Sequence, residues 1–230
     1  MKKGFLLVWA GVLIALVFSL FSLAASDPVV TEEFTENTQN FFTTYEGKWY
    51  YQNIGKSDLE KGTIVATVDS GILKITTKAS KTPHIVSKFT PNSQNYAVTA
   101  VVKTGPTASA GVLGRWYDKE YFYTLRLRGN GELDLSNSKV GGETLKSLNT
   151  GLPLTVNVPD FNPDKWYKVT MEVKNEGSAV VILGYLDDQL LMNVKFTDPK
   201  LQITEGSPGL YCSVNNDIAE FENFVVTMLD

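Results

Sequence analysis

The chain has 230 residues, 43% hydrophobic, 11% aromatic and 20% charged, a composition that excludes a disordered chain. Its net charge of -4, with no basic stripe, argues against nucleic acid as a partner. The single cysteine, Cys212, rules out an internal disulfide, and the lone His84 has no second histidine or cysteine to join it in a metal or nucleophilic site.

Residues 1–26 stand apart. Lys2 and Lys3 precede an uncharged stretch over residues 4–25, and Ser22-Leu23-Ala24 and Ala24-Ala25-Ser26 offer small residues at cleavage-site spacing. This is the pattern of an export signal. The apolar run is also long enough to span a bilayer, so an uncleaved anchor with its lysines inside is the alternative. Either way residues 27–230 are expected outside the cytoplasm: secreted, periplasmic or on the cell surface, touching a membrane only through that segment. The lack of disulfides fits a bacterial exported protein.

The remainder reads as one all-β domain. Val29, Val30 and Phe34 suggest a first strand, and aromatics crowd Gly47-Lys48-Trp49-Tyr50-Tyr51. Ile64, Ala66 and Val68 alternate with polar residues, Ser70-Gly71 turns the chain, and further strands are expected over residues 72–77, 83–89 and 96–103. Residues 166–174 put Tyr167, Val169, Met171 and Val173 on one face. Strands at 179–186, 209–214 and 219–228 close the chain, with another turn at Gly141-Gly142. Twelve to fourteen short strands with Gly, Asn or Asp turns indicate a sandwich or barrel. Trp49, Tyr96, Trp166 and Phe221 are expected as core anchors, and Cys212 as a buried, inert thiol.

Residues 110–135 organise the rest. A two-residue turn at Lys119-Glu120 pairs Asp118 with Tyr121, Trp116 with Tyr123, Gly114 with Leu125 and Val112 with Leu127. One face is then almost wholly apolar. The other carries Arg115, Tyr117, Thr124, Arg126 and Arg128, and a one-residue slip would mix the two sets. Arginine forks and an aromatic plate suit sugar recognition, so these five residues are the candidate ligand-binding set. In this register Arg126→Ala is expected to remove glycan binding with little effect on stability.

The order of Gly47-x-Trp49, Ser70-Gly71-Ile72-Leu73, Ala110-Gly111-Val112-x-x-Arg115, Tyr121-Phe122-Tyr123-x-Leu125, Trp166-Tyr167-x-Val169, Gly209-Leu210 and Phe221-Glu222-Asn223-Phe224-x-Val226 resembles the concanavalin A-like lectin/glucanase superfamily, closest to bacterial laminin G-like and 3-keto-disaccharide hydrolase-like domains. Glu222 stands where the last motif usually has Asp. The resemblance implies a jelly roll of two curved antiparallel sheets, with carbohydrate on the concave face or at a rim. It also raises calcium at a rim, for which the oxygen-rich turns Asp187-Asp188 and Asn215-Asn216-Asp217 supply Asp187, Asp188, Asn215 and Asp217, although such residues favour turns on backbone grounds alone. No other cofactor is implied.

Family-16 glucanases on this fold carry Glu-x-Asp-x-Glu on one strand, which sets a nucleophile and an acid/base on one face. Glu132 and Asp134 match the first two positions, and Ser136 or Asn137 stands where the final Glu would be. A hydroxyl or amide cannot act as the general acid. The sequence therefore points to an exported, non-catalytic, lectin-like carbohydrate-binding module with a glycan partner. A glycoside-processing enzyme and a laminin G-like protein-binding module are the alternatives.

Overall fold

The computed structural model describes residues 28–118, 121–138 and 154–229. The segment over residues 1–26, the Lys119-Glu120 turn and the Gly141-Gly142 turn lie outside the described residues.

Two antiparallel sheets pack face to face. One runs in the order β13 (Gln189–Phe196), β12 (Ala179–Leu186), β11 (Tyr167–Glu176), β6 (Tyr96–Thr104), β15 (Ile218–Met228), β4 (Ile72–Thr77), β3 (Ile64–Asp69), with β1 (Pro28–Glu32) also beside β15. The other runs β10 (Thr155–Asn157), β9 (Glu132–Asn137), β8 (Tyr121–Arg128), β7 (Ser109–Asp118), β14 (Ser207–Ser213), β5 (His84–Ser87), β2 (Trp49–Gln52). Helix is confined to α1 (Phe41–Thr44) and α2 (Lys56–Glu60) among the described residues. This is the all-β jelly-roll sandwich the sequence implied.

Alternation builds the core. Val98, Ala100 and Val102 of β6 and Val169, Met171 and Val173 of β11 are fully buried, as are Tyr123, Leu125 and Leu133 on the facing sheet. Each of these valine, leucine and methionine side chains contributes about 1.5–3 kcal/mol by leaving water. Trp49, Tyr96 and Phe221 are the expected anchors. Trp166 is not: it is half-buried, with Lys103 Nζ 5.9 Å from its ring centroid. Cys212 is buried, and burial pushes its thiol up.

The Phe221-Glu222-Asn223-Phe224 motif has a geometric reason. The pairing of β15 with β6 shifts between Glu222 and Val225, where Asn223 takes φ 50°. That bulge lets Phe221 and Phe224, three apart, both face inward; both are fully buried. β4 pairs with β15 before the bulge and β1 after it.

The central hairpin departs from its expected register. Asp118 pairs with Tyr121 as anticipated, but Tyr123, Leu125 and Leu127 then face Gly114, Val112 and Ala110. β7 holds two extra residues in a bulge over Arg115-Trp116-Tyr117, with Arg115 at φ 52°. An even offset preserves the parity of residues 110–114, so the dry face survives the error. Arg115 does not keep its expected place. It turns into the protein, is fully buried, and shares no face with Arg126.

Candidate functional site

The outer face of the seven-stranded sheet carries the chemistry. Arg126 on β8 stands directly opposite Asp134 on β9. Its Nε and Nη2 donate to Asp134 Oδ1 and Oδ2 at 2.7 and 3.0 Å. Arg128 repeats the fork, with Nε to Oδ1 at 3.1 Å and Nη2 to Oδ2 at 3.0 Å. Arg126 Nη1 also donates to the Tyr211 hydroxyl at 2.7 Å, and Arg128 Nη1 lies 3.5 Å from Glu132. Two guanidinium groups and two carboxylates thus balance locally.

Alternation puts Leu133 and Leu135 in the core, as expected, but Asp134 does not face water freely; it is 5% exposed. Burial raises its carboxyl, and the hydrogen bonds from Arg126 and Arg128 more than reverse this, holding it below the usual carboxylate range. It has no proton to give at neutral pH, and both oxygens are already saturated by charge-assisted bonds. Ser136 pairs opposite Thr124 in the third position of the motif. On the strand that matches the glucanase pattern, Asp134 and Glu132 are thus ion-paired with Arg126 and Arg128.

Next to this cluster the face is filled by apolar side chains. Val86, Leu113, Phe122 and Tyr211 form a small second core with Trp116 against it. His84 sits in it, its ring 4.7 Å from Phe122 and 5.4 Å from Tyr211. Burial pulls the His84 pKa down to about 4. A Cβ at Gly111 would overlap the Leu125 carbonyl oxygen, so the close approach of β7 and β8 requires glycine there. Thr124 lies on the expected face but is buried, and its Oγ1 has no hydrogen-bond partner among the described residues. It is not a surface donor.

Two clefts open at opposite ends of β8. The first, of about 420 Å³, is lined by Thr107, Ser109, Arg126, Arg128, Asn130 and Ser213, with Pro106, Ala108 and Gly129. Its lining is mostly hydroxyl, amide and guanidinium. Asp217 fixes one wall by accepting from Thr107 N and Oγ1 at 2.6 and 2.8 Å. The second, of about 220 Å³, lies beside Tyr117, which is 63% exposed. Of the five sequence candidates the fold brings together Arg126 and Arg128, places Tyr117 at the other end, and buries Thr124 and Arg115. Sequence reading missed Thr107, Ser109 and Ser213. Only the pairing of β14 with β7, Ser213 opposite Ser109, reveals them.

Arg115 acts as a clamp. Its Nη1 donates to Asn175 Oδ1 at 2.9 Å and to the Ile203 carbonyl at 2.8 Å, and Nη2 donates to the Gln94 carbonyl at 2.9 Å. Its backbone N–H donates to the Tyr96 hydroxyl at 2.6 Å. None of these partners is a carboxylate.

The four residues expected at a calcium rim form two separate turns. Asp187 accepts from Lys165 Nζ and Lys168 N, both at 2.9 Å, and Asp188 from Lys168 Nζ at 2.8 Å. Asp217 is occupied by Thr107, and the Asn215 carbonyl accepts from Thr107 Oγ1. The β12–β13 turn and the start of β15 are separated by β11 and β6, roughly 14 Å at the usual strand spacing. One ion needs six to eight oxygens at about 2.3–2.6 Å, and the fold does not gather these side chains into such a shell. Among the described residues no group of three or more His, Cys, Asp or Glu forms a metal cluster.

No protein-family model matches the chain, and no curated protein does. Solved structures do. An endo-1,3-β-glucanase from Streptomyces sioyaensis superposes with a TM-score of 0.61 at 13% identity, over 90% of this chain and 98% of that one. The catalytic domain of a laminarinase from Thermotoga petrophila gives 0.59 at 12% identity, over 87% and 97%. A galectin-like protein of unknown function from Bacillus subtilis gives 0.51 at 13% identity, over 84% and 98%. At these identities the likeness establishes the fold, a jelly-roll sandwich of two antiparallel sheets, and fold alone does not fix activity.

Proposed function

We propose that this concanavalin A-like jelly roll is a non-catalytic carbohydrate-binding module that works outside the cytoplasm, with a β-glucan as its ligand. The observation that carries the reading is the state of Asp134. Both its oxygens are held by two guanidinium forks, and Ser136 replaces the last acid of the motif. Retaining or inverting glycoside hydrolysis needs two free carboxyl groups flanking the bond, and this strand offers at most one, the partly exposed Glu132. The similarity in fold to glucanases and a laminarinase supports the choice of β-glucan.

The saccharide lies in the cleft of Thr107, Ser109, Arg128, Asn130 and Ser213. Hydroxyls, an amide and a partly exposed guanidinium match a ligand made of hydroxyls, and a small number of placed polar groups fixes orientation in such sites. Arg128 is the member with room to contact a ligand, since its side chain is 39% exposed against 21% for Arg126. The N-terminal segment, as a signal or an anchor, delivers the domain to the outside.

The test is a glycan array that includes laminarin, with a reducing-sugar assay on the same samples. Binding without product release is expected, and Arg128→Ala should weaken it roughly tenfold, as for loss of one charge-assisted hydrogen bond. Release of soluble sugar by the purified chain would overturn the non-catalytic reading. Failure to bind laminarin would overturn the choice of ligand.

A further inference from the structure

The second cleft belongs to none of this. Tyr117 and Tyr121 form one wall, and Gln202, Ile203, Thr204 and Glu205 the other. Among the described residues Tyr117 is the most exposed large hydrophobic side chain. Its exposure follows from the β7 bulge: once Arg115 turns inward, Tyr117 is thrown outward at the hairpin end.

The facing wall is fixed from beneath by buried partners. The Ile203 carbonyl accepts from Arg115 Nη1 at 2.8 Å, and Ile203 N donates to the Tyr123 hydroxyl at 2.8 Å. Gly206 N donates to Gln94 Oε1 at 3.0 Å, and its carbonyl accepts from the Tyr96 hydroxyl at 3.1 Å. Thr204 and Glu205 lie between these anchors with exposed side chains. Gln202 Nε2 donates to the Ser178 and Phe196 carbonyls, which holds that end of the wall. A wall held this way loses little freedom when a ligand arrives, and preorganisation of that kind raises affinity. An exposed aromatic face beside a hydroxyl and a carboxylate is the chemistry that holds a sugar ring: stacking on its apolar face and acceptors for its hydroxyls.

We propose that this cleft is a second saccharide subsite, so that the protein grips a polysaccharide at two points. The inference rests on the carbohydrate reading above and adds a bivalent mode to it. Tyr121 and Arg128 are the ends of β8, roughly 23 Å apart along the strand at about 3.3 Å per residue. A trisaccharide therefore fills each cleft separately, whereas a polymer engages both. Linking two engagements raises apparent affinity by about 10²–10⁴ without any new contact.

The experiment is calorimetric titration of the full chain with laminaritriose and with polymeric laminarin, for wild type, Tyr117→Ala and Tyr117→Trp. Two trisaccharides per wild-type chain are expected, and one per Tyr117→Ala chain with unchanged affinity at the remaining site. Laminarin affinity should fall at least tenfold in Tyr117→Ala and be kept in Tyr117→Trp. One trisaccharide per wild-type chain, or two retained by Tyr117→Ala, would overturn the second subsite while leaving the first intact. Absence of any binding to wild type would instead sink the β-glucan reading itself, and this proposal with it. Tyr117 is mostly in solvent, so its replacement should leave the melting temperature within about 2 °C of wild type.

Discussion

Asp134→Asn separates a structural carboxylate from a catalytic one. In the wild type four charge-assisted hydrogen bonds, between 2.7 and 3.1 Å, tie Asp134 to Arg126 and Arg128. The amide keeps the shape but removes the charge, and its N–H₂ points donors at donors. Arg126, whose side chain is 21% exposed, keeps the amide oxygen and the Tyr211 hydroxyl but has no charged partner. Arg128 is 39% exposed and retains Glu132, so it relaxes toward water at lower cost. Breaking one partner out of a buried pair costs about 3–5 kcal/mol. The partial exposure of both arginines sets the expectation at the lower end, about 3 kcal/mol. For a chain of this size that is a fall in melting temperature of roughly 6–12 °C. The measurement is thermal denaturation at pH 7, with a laminarin hydrolysis assay beside it. A second arm replaces the pair together, Arg126→Met with Asp134→Leu. Apolar replacement of both members should recover much of the loss, because it removes the uncompensated charge. An Asp134→Asn chain as stable as wild type, or more so, would refute the structural assignment. Loss of a hydrolytic activity that the wild type displays would restore Asp134 to a catalytic role.

Two other outcomes follow from the faces of the sheet and the buried histidine. Leu125→Ala should cost about 2–5 kcal/mol by leaving a cavity, since Leu125 is fully buried on the inner face and packs toward Gly184; a normal melt would mean that the faces are misassigned. His84 should make stability depend on pH, because its folded pKa of about 4 lies below the ordinary value near 6.5. The unfolded chain then binds the proton first, so stability is full above about pH 6.5 and is lost as pH falls toward 4, by about 2 kcal/mol between pH 7 and 5. In His84→Phe, which keeps a ring between Phe122 and Tyr211, urea denaturation should show that part of the slope gone; an unchanged slope would assign it to other groups.

The earlier expectation for Arg126→Ala is corrected by the same cluster. With Arg115 on its own face and solvent around it, Arg126 would have been a ligand contact of little structural weight. Bound through Asp134 and Tyr211 it is part of the framework, and its loss should destabilise the domain. In the proposed function the ligand contact is Arg128, whose side chain is more exposed.

Much of this protein is determined by its sequence because the information is local. Period two over residues 64–77, 96–104 and 167–173 defines strands and their inner faces without reference to any partner. The Asp118–Tyr121 pairing is equally local, and so is the absence of the third acid at Ser136. What the sequence could not disclose depends on residues far apart in the chain. The β7 bulge costs nothing in parity, so alternation alone cannot detect it, yet it moves Arg115 from the surface to the interior. That inward turn becomes favourable only because Asn175, Ile203 and Gln94 present oxygens to the guanidinium, and those three lie on separate elements that only the packed sandwich brings together. Asp134 reads as an exposed acid in a strand pattern; the register of β8 against β9 buries it between two arginines. Both clefts likewise exist only after folding, one where β14 lays Ser213 beside Ser109, the other where the chain over residues 202–205 comes to rest against Tyr117.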